Sequence, residues 1–196
     1  FDIAPGDTLG LVGESGCGKT MTCLAPMGLL DRGASLEAGA IRLRGETVAA
    51  ARRRDAARAL SRRAGMIFQN PHTCLNPVRT VGWQVAEAYR LRAGGPRAEA
   101  DRLAAALLDR VGIPDAARRA RDYPHQLSGG MNQRVMIAMA IAGAPDLLVA
   151  DEPTTALDVT VQAQIIELMR ELQQELGMAI LFVTHDLGLI SEIADR

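Results

Sequence analysis

Thr8-Leu9-Gly10-Leu11-Val12-Gly13-Glu14-Ser15-Gly16-Cys17-Gly18-Lys19-Thr20 is the stretch on which the reading of the fold turns. Its first five residues are mostly apolar and read as a strand. The next eight fill every fixed position of the phosphate-loop pattern G-x-x-x-x-G-K-[ST]. Glycines at these places let backbone N–H groups converge on phosphate oxygens, and a helix opening at Gly18 adds the positive end of its dipole. Lys19 is the only lysine among 22 basic residues. A compact ammonium on a flexible stem reaches β- and γ-phosphates as a point charge, which a planar guanidinium does not. Thr20 would offer its hydroxyl to Mg²⁺. The stretch implies that Gly13, Glu14, Ser15, Gly16, Cys17, Gly18, Lys19 and Thr20 surround the phosphates of a nucleoside triphosphate.

Outward from this loop, strand signals fall at residues 8–12, 41–44, 66–69, 147–151 and 179–184. Helical periodicity covers 19–30, 80–92, 97–111, 131–142, 161–176 and 187–194. Strand–loop–helix early and strand–helix–strand–helix late predict an α/β fold with a mainly parallel sheet and crossover helices. The middle of the chain has helical patterns and no good strand. It reads as a helical subdomain, 71–142, inserted into a phosphate-loop NTPase core made of 1–70 and 143–196.

Composition narrows the function classes. A length of 196 residues supports one substantial core, and 48% hydrophobic with 23% charged residues is ordinary for a globular domain. A net charge of −1 sets up no long-range field for nucleic acid, and 3% aromatics supply no stacking platform. The arginines of the Ala/Arg-rich stretch 49–63 read as a solvated helix face, and no nucleic-acid partner is expected. Cys17, Cys23 and Cys74 form no C-x-x-C pair and are odd in number, so neither a disulfide framework nor a zinc site is expected. No secretory signal opens the chain. With no Met at Phe1 and a helical stretch just before Arg196, it reads as a piece of a longer polypeptide.

Two further elements carry chemistry. Leu147-Leu148-Val149-Ala150-Asp151-Glu152 is a buried strand that delivers carboxylates at its C-terminal end, where open α/β sheets bind ligands. Asp151 would stand in the Mg²⁺ shell opposite Thr20. Glu152, one residue beyond, would face a water in line with the γ-phosphate as general base. Leu127-Ser128-Gly129-Gly130-Met131-Asn132-Gln133-Arg134 opens an apolar helix, with Ser128 as N-cap and two glycines leaving N–H groups uncovered. One chain therefore carries two phosphate-binding helix starts. The methionines at 131, 136 and 139 read as packing, and His72 and His125 as surface or structural residues.

The order of these elements, closed by Thr184-His185-Asp186, resembles that of the ATP-binding cassette (ABC) ATPases over essentially the whole chain. Leu-Ser-Gly-Gly-x-x-Gln-Arg is the most specific part. The resemblance implies that Gln69 is a lid-loop glutamine contacting Mg²⁺ and the attacking water, and that Ala156-Leu157-Asp158 meets a second subunit. It implies that His185 is a γ-phosphate switch, and that Ser128, Gly129 and Gly130 bind the γ-phosphate held by the other subunit. Implied ligands are ATP and Mg²⁺. Implied partners are a second ATP-binding subunit (homo- or heterodimer), transmembrane permease subunits and, indirectly, a solute-binding protein. The implied location is the cytoplasmic face of the inner membrane. The family's adenine-stacking aromatic is expected upstream of the phosphate loop, before Phe1.

A narrower resemblance rests on Phe68-Gln69-Asn70-Pro71-His72-Thr73-Cys74-Leu75-Asn76-Pro77 and on Glu152-Pro153-Thr154-Thr155-Ala156-Leu157-Asp158-Val159-Thr160-Val161-Gln162. These are similar to the ATPases of dipeptide, oligopeptide and nickel importers, which also carry a C-terminal extension. His72, Cys74 and Asn132 depart from that group's usual residues, and Cys17 replaces a more usual Ser. The alternative of another class is a non-transport cassette ATPase acting on ribosomes or DNA. Tandem cassettes, a long coiled coil or zinc-binding cysteines would mark it, and none is visible here.

Overall fold

Short apolar strands separated by helices bury both faces of a parallel sheet, and the described residues of a computed structural model show this arrangement. Those residues are 1–14, 16–30, 39–49, 62–155 and 157–196. Ser15, Ala156 and most of the Ala/Arg-rich stretch lie outside them. Strands β1 (Thr8–Val12), β4 (Ala64–Ile67), β5 (Leu147–Asp151) and β6 (Ala179–Thr184) form one parallel sheet in the order β1-β6-β5-β4. Val12 is level with Thr184, Asp151 with Val183, and Ile67 with Ala150. The carboxyl ends of all four strands therefore lie along one edge.

A hairpin of β2 (Ile41–Leu43) and β3 (Glu46–Ala49) stands as a separate two-stranded sheet. Its two-residue turn, Arg44-Gly45, has φ of 50° and 79°, the left-handed pair that matches strand twist. The polar start of β3 hides this strand from a hydrophobic reading.

Helix α1 (Lys19–Met27) follows β1. Between β4 and β5 run α2 (Pro71–Cys74), α3 (Val81–Ala93), α4 (Arg97–Arg110), α5 (Ala116–Arg119), a 3₁₀ turn (Pro124–Gln126) and α6 (Gly129–Ile141). Helices α7 (Val159–Leu176) and α8 (Leu187–Ile193) flank β6. Side-chain caps set several helix starts: Asn70 for α2, Thr80 for α3, Ser128 for α6, Asp158 for α7 and Asp186 for α8. Residues 71–142 hold helices and turns and no strand.

One core cluster runs unbroken from Val81, Leu108 and Ile137 in the helical region through Ile67, Leu148 and Phe182 in the sheet to Ile165 in α7. The other sheet face packs Met66, Val149, Leu181 and Val183 around Cys23 of α1. Helix α6 lies hard against β4. A Cβ at Gly65 would sit 2.2 Å from the carbonyl oxygen of Ala140, so only glycine allows this approach. The far end of α6 is closed by Arg92, whose Nη1 donates to the carbonyls of Met139, Ala140 and Ala142.

Candidate functional site

Because the four strands are parallel and in register, the segments leaving their carboxyl ends meet at one edge of the sheet. These are the loop after β1, Gln69 after β4, Asp151-Glu152 at the end of β5 and His185 after β6. Chain positions far apart in sequence are thereby collected around one volume, the place where such sheets bind ligands.

The loop after β1 closes on itself around its lysine. Lys19 is buried, at 8% exposure, and its Nζ donates to the carbonyls of Gly13 at 2.6 Å and Glu14 at 2.8 Å. Cys17 Sγ lies 3.9 Å from the same nitrogen. Gly18 caps α1 with φ 98°, in the left-handed region, and has no side chain to cover the N–H groups of the first turn. Ser15, expected in this loop, lies outside the described residues.

At the end of β5 two adjacent carboxylates occupy different surroundings. Asp151 is 4% exposed, and burial pushes its carboxyl above the ordinary value. The Thr20 hydroxyl bond acts downward, the charge of Glu152 upward and Lys19 downward. Asp151 Oδ1 is buried and accepts no hydrogen bond among the described residues. An orphaned carboxylate oxygen beside a threonine hydroxyl fits a hard cation with oxygen ligands. Among the described residues no group of three or more His, Cys, Asp or Glu could hold a metal by itself.

Glu152 leaves the strand with φ 47°, an uncommon value for a side-chain-bearing residue, while its N–H still donates to Val183 O at 2.8 Å. The carboxylate is surrounded by donors. Gln69 Nε2 reaches Oε2 at 3.0 Å, Thr155 Oγ1 reaches Oε2 at 2.9 Å, and His185 Nδ1 pairs with Oε1 at 3.1 Å. Burial raises its pKa, but the bonds from His185 and Thr155, with the fields of His185 and Lys19, outweigh that and hold it below the ordinary value. Glu152 is therefore a carboxylate at neutral pH. The sequence-predicted trio Glu152, His185 and Gln69 is thus brought into one hydrogen-bonded cluster.

Ser128 stands elsewhere. Its hydroxyl is exposed and accepts from Met131 N at 3.3 Å, at the start of α6 with Gly129 and Gly130. Among the described residues no hydrogen bond or ion pair joins these three to the loop of Gly13–Thr20. Asp158 caps α7 through Val161 N at 3.0 Å, and Gln162 Nε2 braces the preceding turn through the carbonyls of Thr154 and Leu157 at 3.1 and 3.0 Å.

Sequence reasoning missed two contributors. Thr155 is the third donor to Glu152, and its signal was the spacing Glu-x-x-Thr across a proline-containing turn. Gln133, 1% exposed, donates from Nε2 to Pro153 O at 2.5 Å and so ties α6 to the turn that follows Glu152. His125 stacks on Tyr123 with ring centroids 5.7 Å apart, and Met136 is buried in the core, as expected for structural residues.

A phosphate loop after the first strand, a carboxylate pair at the end of a buried one and a capped Ser-Gly-Gly helix start define a nucleotide-binding cassette. The family profile described as ABC transporter matches residues 1–155, and the chain belongs to that family. A protein of Brucella abortus (strain 2308), whose name assigns it to peptide import as an ATP-binding protein, is 54% identical over 199 residues. That alignment takes in 100% of this chain and 59% of the relative. A similarly named protein of Brucella melitensis biotype 1 is 53% identical over 196 residues, again covering 59% of its length. The chain thus spans about three-fifths of the curated relatives it matches.

Among solved structures, CbiO1 of Clostridium perfringens, part of the ABC transporter complex CbiONQ, superposes with a TM-score of 0.83 at 27% identity. The alignment covers 100% of this chain and 73% of that one. The ATP-binding cassette MJ0796, a dimer in a post-hydrolysis state bound to ADP and Pi, gives a TM-score of 0.81 at 27% identity. It matches 96% of this chain and covers 79% of that one.

Proposed function

We propose that this chain is the ATP-hydrolysing part of an ABC importer for peptides or nickel. The observation that carries this is the convergence of Gln69, Thr155 and His185 on the Glu152 carboxylate, beside Lys19 and the Thr20–Asp151 pair. That cluster has the composition of a site for in-line attack of water on a γ-phosphate. Glu152 Oε1 takes a proton from the attacking water as its oxygen bonds to phosphorus. The bond to the β–γ bridging oxygen breaks, leaving ADP and phosphate. Lys19 turns from the carbonyls of Gly13 and Glu14 to the β- and γ-oxygens, and the amides of the Gly13–Thr20 loop hold the phosphates. Thr20, Asp151 and Gln69 would hold Mg²⁺, which supplies charge neutralisation at the phosphates when bound.

Ser128, Gly129 and Gly130 act on the nucleotide of a second subunit, identical or different, with Asp158 at the contact. The order of motifs along the chain supports that arrangement, and the names of the cited relatives support peptide import. The helical region 71–142 serves as the insert that answers to transmembrane permease subunits, with a solute-binding protein beyond them. The site of action is the cytoplasmic face of the inner membrane, with the chain bound peripherally. Among the described residues no helix is long and apolar enough to cross a membrane.

The test uses the full-length protein with its permease subunits in vesicles. Mg-dependent ATP hydrolysis that rises with a peptide-loaded or nickel-loaded binding protein is expected. Hydrolysis indifferent to both solutes would overturn the importer assignment, and absence of hydrolysis would overturn the ATPase assignment.

A further inference from the structure

We propose that Thr155 is a positioning residue for Glu152, fixing Oε2 through its hydroxyl so that Oε1 faces the reacting water. The inference rests on the reading of Glu152 as general base.

Two observations carry it. The turn from Glu152 to Thr155 is already closed by its backbone, Thr155 N donating to Glu152 O at 3.4 Å, with Pro153 fixing one φ inside it. The hydroxyl is therefore not needed to make the turn. It is exposed and free to face solvent, yet it donates to the carboxylate at 2.9 Å. Second, the carboxylate's oxygens are unequally engaged. Oε2 accepts from both Thr155 and Gln69, whereas Oε1 has only His185. The less engaged oxygen keeps lone-pair capacity for a water proton.

The three donors also differ in how they are tethered. Gln69 and His185 come from loops 83 and 33 residues away in sequence, whereas Thr155 is three residues away within the same turn. The reading of Gln69 and His185 as nucleotide-contacting groups turns them toward γ-phosphate and magnesium. Thr155 stays with Glu152 whatever those loops do, and a rotatable carboxylate needs one such fixed donor to remain aimed.

The experiment compares Thr155→Val, Thr155→Ser and Thr155→Ala in the full-length protein, with Glu152→Gln as reference. Thr155→Val keeps the branched shape and removes the hydroxyl. Its kcat should fall about tenfold, the effect of losing one hydrogen bond to a charged acceptor, with KM for ATP within about twofold of wild type. Thr155→Ser should recover most of the rate. Thr155→Ala should match Thr155→Val, and it replaces that variant should valine fail to fold. An unchanged kcat in the hydroxyl-less variants, a loss confined to KM, or a serine variant as slow as valine would each overturn the inference. Wild-type turnover in Glu152→Gln would instead overturn the general-base reading on which it stands.

Discussion

Glu152 holds a left-handed backbone conformation that costs a side-chain-bearing residue roughly 1–2 kcal/mol, and its surroundings compensate with a backbone bond to Val183 and three side-chain donors. The strain aims the carboxylate away from β5, where a continued strand would have buried it. Glu152→Gln keeps that shape and removes the base. We expect it to bind ATP, to lose at least about 100-fold in turnover, and to elute with ATP as a dimer on gel filtration. Wild-type turnover would remove Glu152 from this role. Cysteine labelling checks the loop itself. Cys17 and Cys74 are exposed, whereas Cys23 is fully buried, and burial followed by the charge of Asp151 pushes its thiol up to about 12. A maleimide at neutral pH should therefore modify Cys17 and Cys74 and spare Cys23. Mg-ATP should protect Cys17 by covering the loop. Peptide mapping that finds Cys17 equally labelled with and without nucleotide would mean that nucleotide does not cover it. At this scale Lys19, Asp151 and Glu152 were legible because pattern and strand end place them. Thr155 and Gln133 were not, because their roles depend on turn geometry and on a contact between distant elements.

Among the elements, β1, β5 and β6 match the ends read from sequence, since each is an apolar run bounded by polar or glycine residues. The expected strand at 66–69 instead occupies Ala64–Ile67. Gly65 is small because α6 lies against it, Ala64 packs on the opposite face beside Met27, Ile41 and Leu43, and small residues carry little strand signal. Phe68 and Gln69 leave the ladder to enter the site. The short helices α2 and α5 escaped because four residues show no period. The close contact of β4 with α6 gives a sharp test. Gly65→Ala places a methyl group where the Ala140 carbonyl stands, which neither backbone can vacate cheaply. Urea unfolding should show a loss of at least about 2 kcal/mol with little change in slope. A loss below about 0.5 kcal/mol, the usual range of a surface substitution, would mean that the two elements are not packed as described.

For the whole molecule, the mainly parallel sheet with crossover helices followed from the alternation of strands and helices, but its strand order and the relation of Ser128 to the loop of Gly13–Thr20 did not. Two phosphate-binding helix starts in one chain are compatible with one nucleotide or with two. Ser128 Oγ accepts from Met131 N as the cap of α6, and its proposed action across two chains is open to a direct test. Mixing a Lys19→Ala chain with a Ser128→Arg chain concentrates both lesions in one composite site and leaves the other intact. Partial ATPase recovery in the mixture is expected. No recovery, once mixed dimers are demonstrated by tag pull-down, would mean that the sites are not shared or that both must work at once.

Lys19 donates to two loop carbonyls and is the sole lysine among these residues, a pairing with a consequence for reagent chemistry. Activated esters and similar acylating probes find no other side-chain amine here. Lysine acylation within this stretch therefore reads out access to the phosphate loop. Dicarbonyl reagents, which seek guanidinium groups, see the remainder of the cationic surface and leave that loop's one amine untouched.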